Sequence, residues 1–335
     1  MASPTRRLAA AKPWQVPAKE AGSRHAAVYH AAPRSVAPFA AKTEHLFHPD
    51  RSKMTQAFLK CGRFRLPVQQ GRRPLVMGIL NVTPDSFSDG GRHQSLEMAL
   101  THAEQMIADG VDIIDIGGES TRPGIAPLSL EQELERVMPV IYALRDCGKP
   151  LSLDTYKPAV MREALLAEVD MINDINGFRA EGAIDAVKDS EAGLCVMHMQ
   201  GQPQTMQQAP VYDDVVAEVA HFLQGQVDLM RAAGIARERI CIDPGFGFGK
   251  TVEHNLALLK NSRSLIDQID LPLLAGMSRK SMVGAVVGKP LERRMAGSIG
   301  AALAAAQQGA MIIRVHDVAE TVDALTMWQA GRPDH

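Results

Sequence analysis

The sequence predicts an α/β protein: eight strand–helix units closed into a (β/α)8 TIM barrel, with a short N-terminal hairpin and a disordered N-terminal extension. Three observations lead there. Brief, near-continuous apolar runs recur eight times between stretches of helical spacing, the pattern of parallel strands buried on both faces. The eight units occupy ~260 residues, close to the usual size of such a barrel. A polar residue recurs near the carboxyl end of each run: Asn81, Glu119, Asp154, Asn173, His198, Asp243, Ser278 and Arg314. A closed barrel gathers these ends on one rim. An open doubly wound sheet would string them along a line, and no Gly-rich dinucleotide turn follows the first run.

In chain order, residues 58–61 and 63–68 form the hairpin around Gly62. The eight strands are expected at 75–80, 111–116, 151–154, 170–175, 194–199, 240–243, 273–277 and 311–315. Helical spacing is clearest at 96–109, 130–146, 158–167 and 213–233. These units make one domain, 56–335. Residues 1–55 are rich in Ala, Pro, Arg and Lys and poor in acids, without sustained periodicity. They read as a disordered extension without function of its own; an organelle transit peptide and a start codon upstream of Met54 are the alternatives.

The bulk numbers narrow the function. The 335 residues are 46% hydrophobic and 22% charged, ordinary for a globular protein, and a net charge of −2 gives nucleic acid or an anionic membrane no general attraction. No apolar run reaches the ~18 residues of a membrane span. Cys61, Cys147, Cys195 and Cys241 show neither zinc nor redox spacing, and reduced thiols suit the cytoplasm.

The loops after the strands carry the chemistry. Residues 77–91, MGILNVTPDSFSDGG, pass from a strand into a loop with an amide, two carboxylates, three hydroxyls and an aromatic. Turn geometry alone needs far less. Residues 116–124, IGGESTRPG, combine a Pro-Gly stop with Arg and hydroxyls, a composition suited to an anion. The stretch 243–251, DPGFGFGKT, fails both the phosphate-loop and the dinucleotide patterns. Its glycines can instead bring backbone close to a flat ligand, with Asp243 as an acceptor for ligand N–H groups. Ser278-Arg279-Lys280-Ser281 and Arg314-Val315-His316-Asp317 follow strands seven and eight, where barrels often hold phosphate. Plainer readings stand beside these. Asp154 can cap the next helix, Asn173 can serve a turn, and His198 between two methionines can be a satisfied core histidine.

Taken in order, these stretches, together with Asp154-Thr155, Ile172-Asn173-Asp174-Ile175 and Met197-His198-Met199-Gln200-Gly201, resemble the dihydropteroate synthase family over roughly 75–325. The resemblance implies condensation of 6-hydroxymethyl-7,8-dihydropterin pyrophosphate with p-aminobenzoate in folate biosynthesis, by an SN1-like course through a cationic pterin methylene. It implies that Asp154, Asn173, Asp243 and Lys280 read the pterin edge, with Met197 and Phe248 against the rings. Arg314 and His316 would hold the pyrophosphate, helped by Arg122 or Arg92, and Asn81 would be the protein ligand of Mg2+. Phe87, Thr121, Arg122, Pro123, Lys280 and Ser281 would form the p-aminobenzoate pocket. Asp85 would face the cation, in loops that look like lids. With Asp85, Lys280 and Arg314 are the catalytic candidates. A homodimer through late helices such as 294–308 is also implied.

Two other readings compete. A pterin-binding methyltransferase barrel shares the fold but has no leaving pyrophosphate, and so leaves Thr121-Arg122-Pro123 and Arg314-Val315-His316 unexplained. A non-catalytic homologue would be expected to lose Asn81, Asp154, Asp243, Lys280 or Arg314, and all are present.

Overall fold

The computed structural model describes residues 56–82, 91–120, 126–203 and 205–332, with side chains from 95 onward in the second stretch. Residues 1–55 lie outside the described residues, as do Asp85, Phe87, Thr121, Arg122 and Pro123; so does the side chain of Arg92.

Ten strands are described. β1 (Phe58–Cys61) and β2 (Phe64–Pro67) pair antiparallel across Gly62 as the expected hairpin. The other eight are β3 (Leu75–Asn81), β4 (Ile113–Gly117), β5 (Leu151–Asp154), β6 (Met171–Asp174), β7 (Gly193–Met197), β8 (Ile240–Asp243), β9 (Leu274–Ala275) and β10 (Ile312–Val315). They are parallel, in the order β8-β7-β6-β5-β4-β3-β10-β9. A bridge between Ile242 and Leu273 joins the outer strands, and Ile242 N donates to Pro272 O at 2.9 Å, closing the barrel.

The helices are α1 (Gly91–Ala108), α2 (Leu130–Leu144), α3 (Pro158–Leu166), α4 (Ala183–Val187), α5 (Val215–Ala232), α6 (Val252–Lys260), α7 (Ser262–Ile269), α8 (Ser281–Val287), α9 (Met295–Gln307) and α10 (Val318–Ala330). Their starts are written locally. Ser129 and Gln132 form a capping box on α2, Pro158 opens α3 where its missing N–H is harmless, and Asp214 accepts from Val216 N and Ala217 N to cap α5. The main departure from the sequence reading is the seventh strand. Expected over 273–277, it pairs regularly only at Leu274–Ala275. Beyond Ala275 the chain turns into the loop of Ser278–Lys280, whose Arg279 has φ +58°.

The hairpin closes the amino end of the barrel. Leu59 and Cys61 are fully buried, and Gly62 N donates to Glu191 O. Asp170, just before β6, accepts from Arg63 N, Nε and Nη2 and from Leu151 N at 3.0–3.2 Å. A Cβ at Gly62 would lie 2.7 Å from Asp170 Oδ1, so this crossing needs glycine.

Candidate active site

The opposite, carboxyl end of the barrel carries the polar cluster. Parallel register places Asn81 beside Gly117, Gly117 beside Asp154 and Asp154 beside Asn173. Met197 and Asp243 are register partners on the far side. Arg314, in β10, reaches across the mouth: its Nε donates to Asp115 Oδ2 at 2.6 Å and its Nη2 to Asp154 Oδ2 at 2.7 Å. Asn173 Nδ2 donates to the same Asp115 oxygen at 3.2 Å.

Asp115 is the residue the sequence reading missed. It lies within an apolar run, VDIIDIG, where an acid inside a fully buried strand is itself the signal. It has no solvent exposure and links Arg314 to Asn173. A carboxylate paired with guanidinium only accepts, so it fixes the Asn173 amide with nitrogen inward and oxygen free. Asp115 Oδ1 and Asn173 Oδ1 are both buried and without hydrogen-bond partners. Buried acceptors left open are costly unless something donates to them. The pocket floor therefore offers acceptors to a ligand edge rich in N–H.

Burial raises the Asp154 carboxyl, with Arg314 opposing; burial also raises Asp243, with Lys280 opposing. Asp243 Oδ1 accepts from Gly245 N at 2.7 Å, which sets its rotamer. Lys280 points its ammonium at Phe246 O, 2.5 Å away, and over the Phe248 ring at 4.6 Å. Burial lowers it to about 8. Three acids (Asp115, Asp154 and Asp243) thus meet two cations, Lys280 and Arg314, with burial holding Asp154 at about 7, and acceptor oxygens of this kind suit a ligand that becomes cationic.

One wall of the mouth is apolar. Ile175, Met197, Met199 and Met206 form a small cluster of their own, joined by Tyr156 and Phe248. Pliable methionines and an aromatic ring make a surface for a flat heterocycle.

His316 is placed by Ser278, whose Oγ accepts from His316 N at 3.1 Å and lies 3.0 Å from its Nδ1. Burial and the neighbouring Arg314 push this imidazole down to about 4, so at neutral pH it offers a hydrogen bond rather than a charge. Ser281 opens α8, exposed and next to Lys280. Of the other strand-end residues, Glu119 is tied to Lys157 and to Tyr156 Oη (2.9 Å), and His198 is buried behind the pocket.

Asn81 is exposed at the end of β3, and a Cβ on Gly117 would come 3.6 Å from its Oδ1. The absent side chain leaves room beside one neutral oxygen donor. That donor suits Mg2+ whose remaining ligands are waters and phosphate oxygens. Among the described residues, no group of three or more His, Cys, Asp or Glu makes a metal cage.

Comparison with known proteins agrees with this geometry. The family model for pterin binding enzymes matches residues 77–316. Dihydropteroate synthase of Escherichia coli K12 is 51% identical over 258 residues, 77% of this chain and 91% of that protein. The crystal structure of Burkholderia cenocepacia dihydropteroate synthase complexed with 7,8-dihydropteroate is 56% identical, with a TM-score of 0.74, covering 82% of this chain and 96% of that one. The Xanthomonas albilineans enzyme with 4-aminobenzoic acid is 49% identical, with a TM-score of 0.77, covering 83% and 100%. With its eight-stranded barrel and its polar carboxyl rim, this chain belongs to the dihydropteroate synthase family of pterin binding enzymes, transferases of folate biosynthesis.

Proposed function

We propose that the carboxyl-end pocket condenses 6-hydroxymethyl-7,8-dihydropterin pyrophosphate with p-aminobenzoate, releasing pyrophosphate and forming 7,8-dihydropteroate. The observation that carries the assignment of residues is the pair of open buried acceptors, Asp115 Oδ1 and Asn173 Oδ1, beside the Asp154 and Asp243 carboxylates. The amino-pyrimidine edge of a pterin presents N–H groups to such a floor. Lys280 supplies the donor for its carbonyl or ring nitrogen, and Met197 and Phe248 flank the rings.

The reaction breaks a C–O bond before the arylamine forms the new C–N bond. Charge then develops at two places. On the leaving side, Arg314 contributes its fixed positive charge and His316 a neutral hydrogen bond. Asn81 is the protein donor for Mg2+, which when bound neutralises pyrophosphate charge. On the pterin side, the acceptor oxygens of Asp115, Asp154 and Asp243 favour the cationic methylene, to which Asp85 adds a negative charge. Phe87, Thr121, Arg122, Pro123 and Ser281 are assigned to p-aminobenzoate. Arg122 can also help with pyrophosphate.

We further propose a homodimer through the late helices. Val286, Val287, Leu291 and Met295 are exposed apolar residues on α8, the following turn and the start of α9, which supports a face covered by a second copy. The four free cysteines and the absence, among described residues, of any helix able to cross a membrane are compatible with a cytoplasmic protein.

The test is pyrophosphate release by the purified chain. Release should need the pterin pyrophosphate, p-aminobenzoate and Mg2+ together. Release without p-aminobenzoate, or indifference to chelation of Mg2+, would contradict the corresponding part of the proposal.

A further inference from the structure

Lys250 takes no part in the chemistry above, yet it is a lysine with only 3% exposure. Its Nζ lies 2.9 Å from His198 Nδ1 and donates to Gly245 O and Phe248 O at 3.0 Å each, with His198 O at 3.4 Å. Burial lowers this lysine to about 7; in its charged form it has three hydrogens and no lone pair, and these contacts saturate it. They also set the neighbouring ring: His198 must accept at Nδ1 and carry its proton on Nε2. Burial, with the charge of Lys250, keeps that imidazole neutral, down to about 3.

The loop after β8 is built around this point. Gly245, Gly247 and Gly249 have φ of +71°, +80° and +60°. A Cβ at Gly245 would sit 1.8 Å from His198 O, and one at Gly249 2.5 Å from Gln200 O. The loop backbone therefore rests directly on the end of β7. Its carbonyls alternate in direction. Gly245 O and Phe248 O turn to Lys250, Phe246 O turns to Lys280, Gly247 O accepts from Gln207 at 2.5 Å and Gly249 O accepts from Tyr212 at 2.8 Å. Two lysines hold the same loop from opposite sides, one behind the pocket and one within it. A Cβ at Gly247 would be 3.0 Å from Lys280 Cδ, so the Lys280 stem lies against this backbone as well.

We infer that Lys250 is a positioning residue for the pterin site: by pinning the carbonyls of Gly245 and Phe248 to His198, it fixes the Phe246 carbonyl and the Phe248 ring that orient Lys280. Without the ammonium, the Phe248 carbonyl and the His198 ring nitrogen lose their donor, while Gly245 O keeps only Phe248 N at 3.1 Å, and the loop must shift to find others. Lys280 then loses its seat; of the residues assigned to p-aminobenzoate it alone lies against this loop, so the pterin site is disturbed more than the p-aminobenzoate site. The inference rests on the pterin reading of the pocket.

The experiment uses the full chain with Lys250→Met, which keeps length and removes the donors. KM for each substrate, kcat and the melting temperature are measured beside wild type. The expected result is a KM for pterin pyrophosphate about tenfold higher, with a clearly smaller rise, about threefold or less, in KM for p-aminobenzoate, which shares only Lys280. A merely structural role would lower the melting temperature or the active fraction and move neither KM; that outcome overturns the inference. His198 offers a second arm should Lys250→Met not fold. His198→Asn keeps an acceptor near the Nδ1 position and should preserve the pterin KM, whereas His198→Leu removes it and should raise that KM. Equal pterin KM in the two His198 variants overturns the inference as well. No turnover by the wild-type chain would sink the pterin reading instead, so the two failures are told apart.

Discussion

Each end of the barrel holds an Arg–Asp pair, and the two are finished differently. At the amino end Asp170 accepts four hydrogen bonds, two on each oxygen, from Arg63 and Leu151. At the carboxyl end Asp115 Oδ2 takes both Arg314 and Asn173, while Oδ1, equally buried, takes nothing. A saturated carboxylate holds chain to chain. An unsaturated one is a standing cost of about 1–3 kcal/mol, offset only when a donor arrives. For these two carboxylates the comparison separates one that maintains the fold from one that waits for a ligand.

The sharpest way to break the comparison is to remove the arginine from the open end. Arg314→Met leaves Asp115 and Asp154 buried without their cation and takes away the positive charge assigned to the leaving pyrophosphate. Turnover should fall by roughly 10²–10³-fold, the usual loss when one preorganised electrostatic partner of the transition state is deleted. Steady-state pyrophosphate release measures it. Turnover within a few-fold of wild type would mean that Arg314 serves only to neutralise its two carboxylates.

A smaller effect is expected one residue deeper. In Asp115→Asn the new amide can turn either way, so it no longer dictates which atom of Asn173 faces the pocket. Pterin affinity in a calorimetric titration should weaken by about tenfold, with the melting temperature less affected. The matching change at the other end, Asp170→Asn, should do the reverse. It puts an NH2 where donors already point, costing about 1–3 kcal/mol of stability, and leaves the kinetic constants of the folded protein unchanged. A loss of pterin affinity in Asp170→Asn would erase the distinction between the two ends.

This contrast also shows what the sequence could carry. The eight units were legible because each strand is a short apolar run ended by a polar residue, and because Ser129, Pro158 and Asp214 mark helix starts by local chemistry. Asn81, Asp154, Asn173, Asp243 and Arg314 were legible for the same reason: they stand where an apolar run ends. Asp115 was not, because it stands two residues before the end of β4, where periodicity reads a strand as uniformly apolar. The shortness of β9 was hidden too, since Leu273–Met277 is apolar throughout and only the turn into Arg279 limits it. The resemblance gives His316 a place against the pyrophosphate but no charge state. Its neutrality comes first from burial, which the Arg314-Val315-His316 pattern does not record, and then from the nearby Arg314 charge, which it does.

Lys280 allows the open end to be titrated. Burial lowers its pKa to about 8, and Asp243 opposes the shift. A lysine is charged below its pKa and neutral above it. The part of the pterin affinity that Lys280 supplies should therefore fall as pH rises through about 8, above any earlier loss from Lys250, which titrates near 7. Lys280→Ala should bind weakly throughout and lose that inflection. Calorimetric titrations at a series of pH values, wild type against variant, decide the point. An inflection that survives in Lys280→Ala would assign the titration to another group, with Lys250, lowered to about 7, the first candidate.

The smallest effect is expected where the first substitution is repeated at the saturated end. Arg63 is 40% exposed at its side chain, whereas Arg314 is 17% exposed. Water can therefore take over part of what the Arg63 guanidinium contributes, and ion pairs of that kind are worth about 1 kcal/mol or less. Asp170 also keeps two of its four donors, Arg63 N and Leu151 N, because both are backbone groups that no side-chain change removes. Arg63→Met should then lower stability by about 1 kcal/mol, a shift of roughly 2–4 °C in the melting temperature for a domain of this size. Both KM values and kcat should stay at wild type, since the hairpin lies at the opposite end of the barrel from Lys280 and Arg314. A change in pterin KM in Arg63→Met would show that the amino-end clasp is felt through the strands. The two ends would then be one coupled unit rather than a closed floor beneath an open mouth.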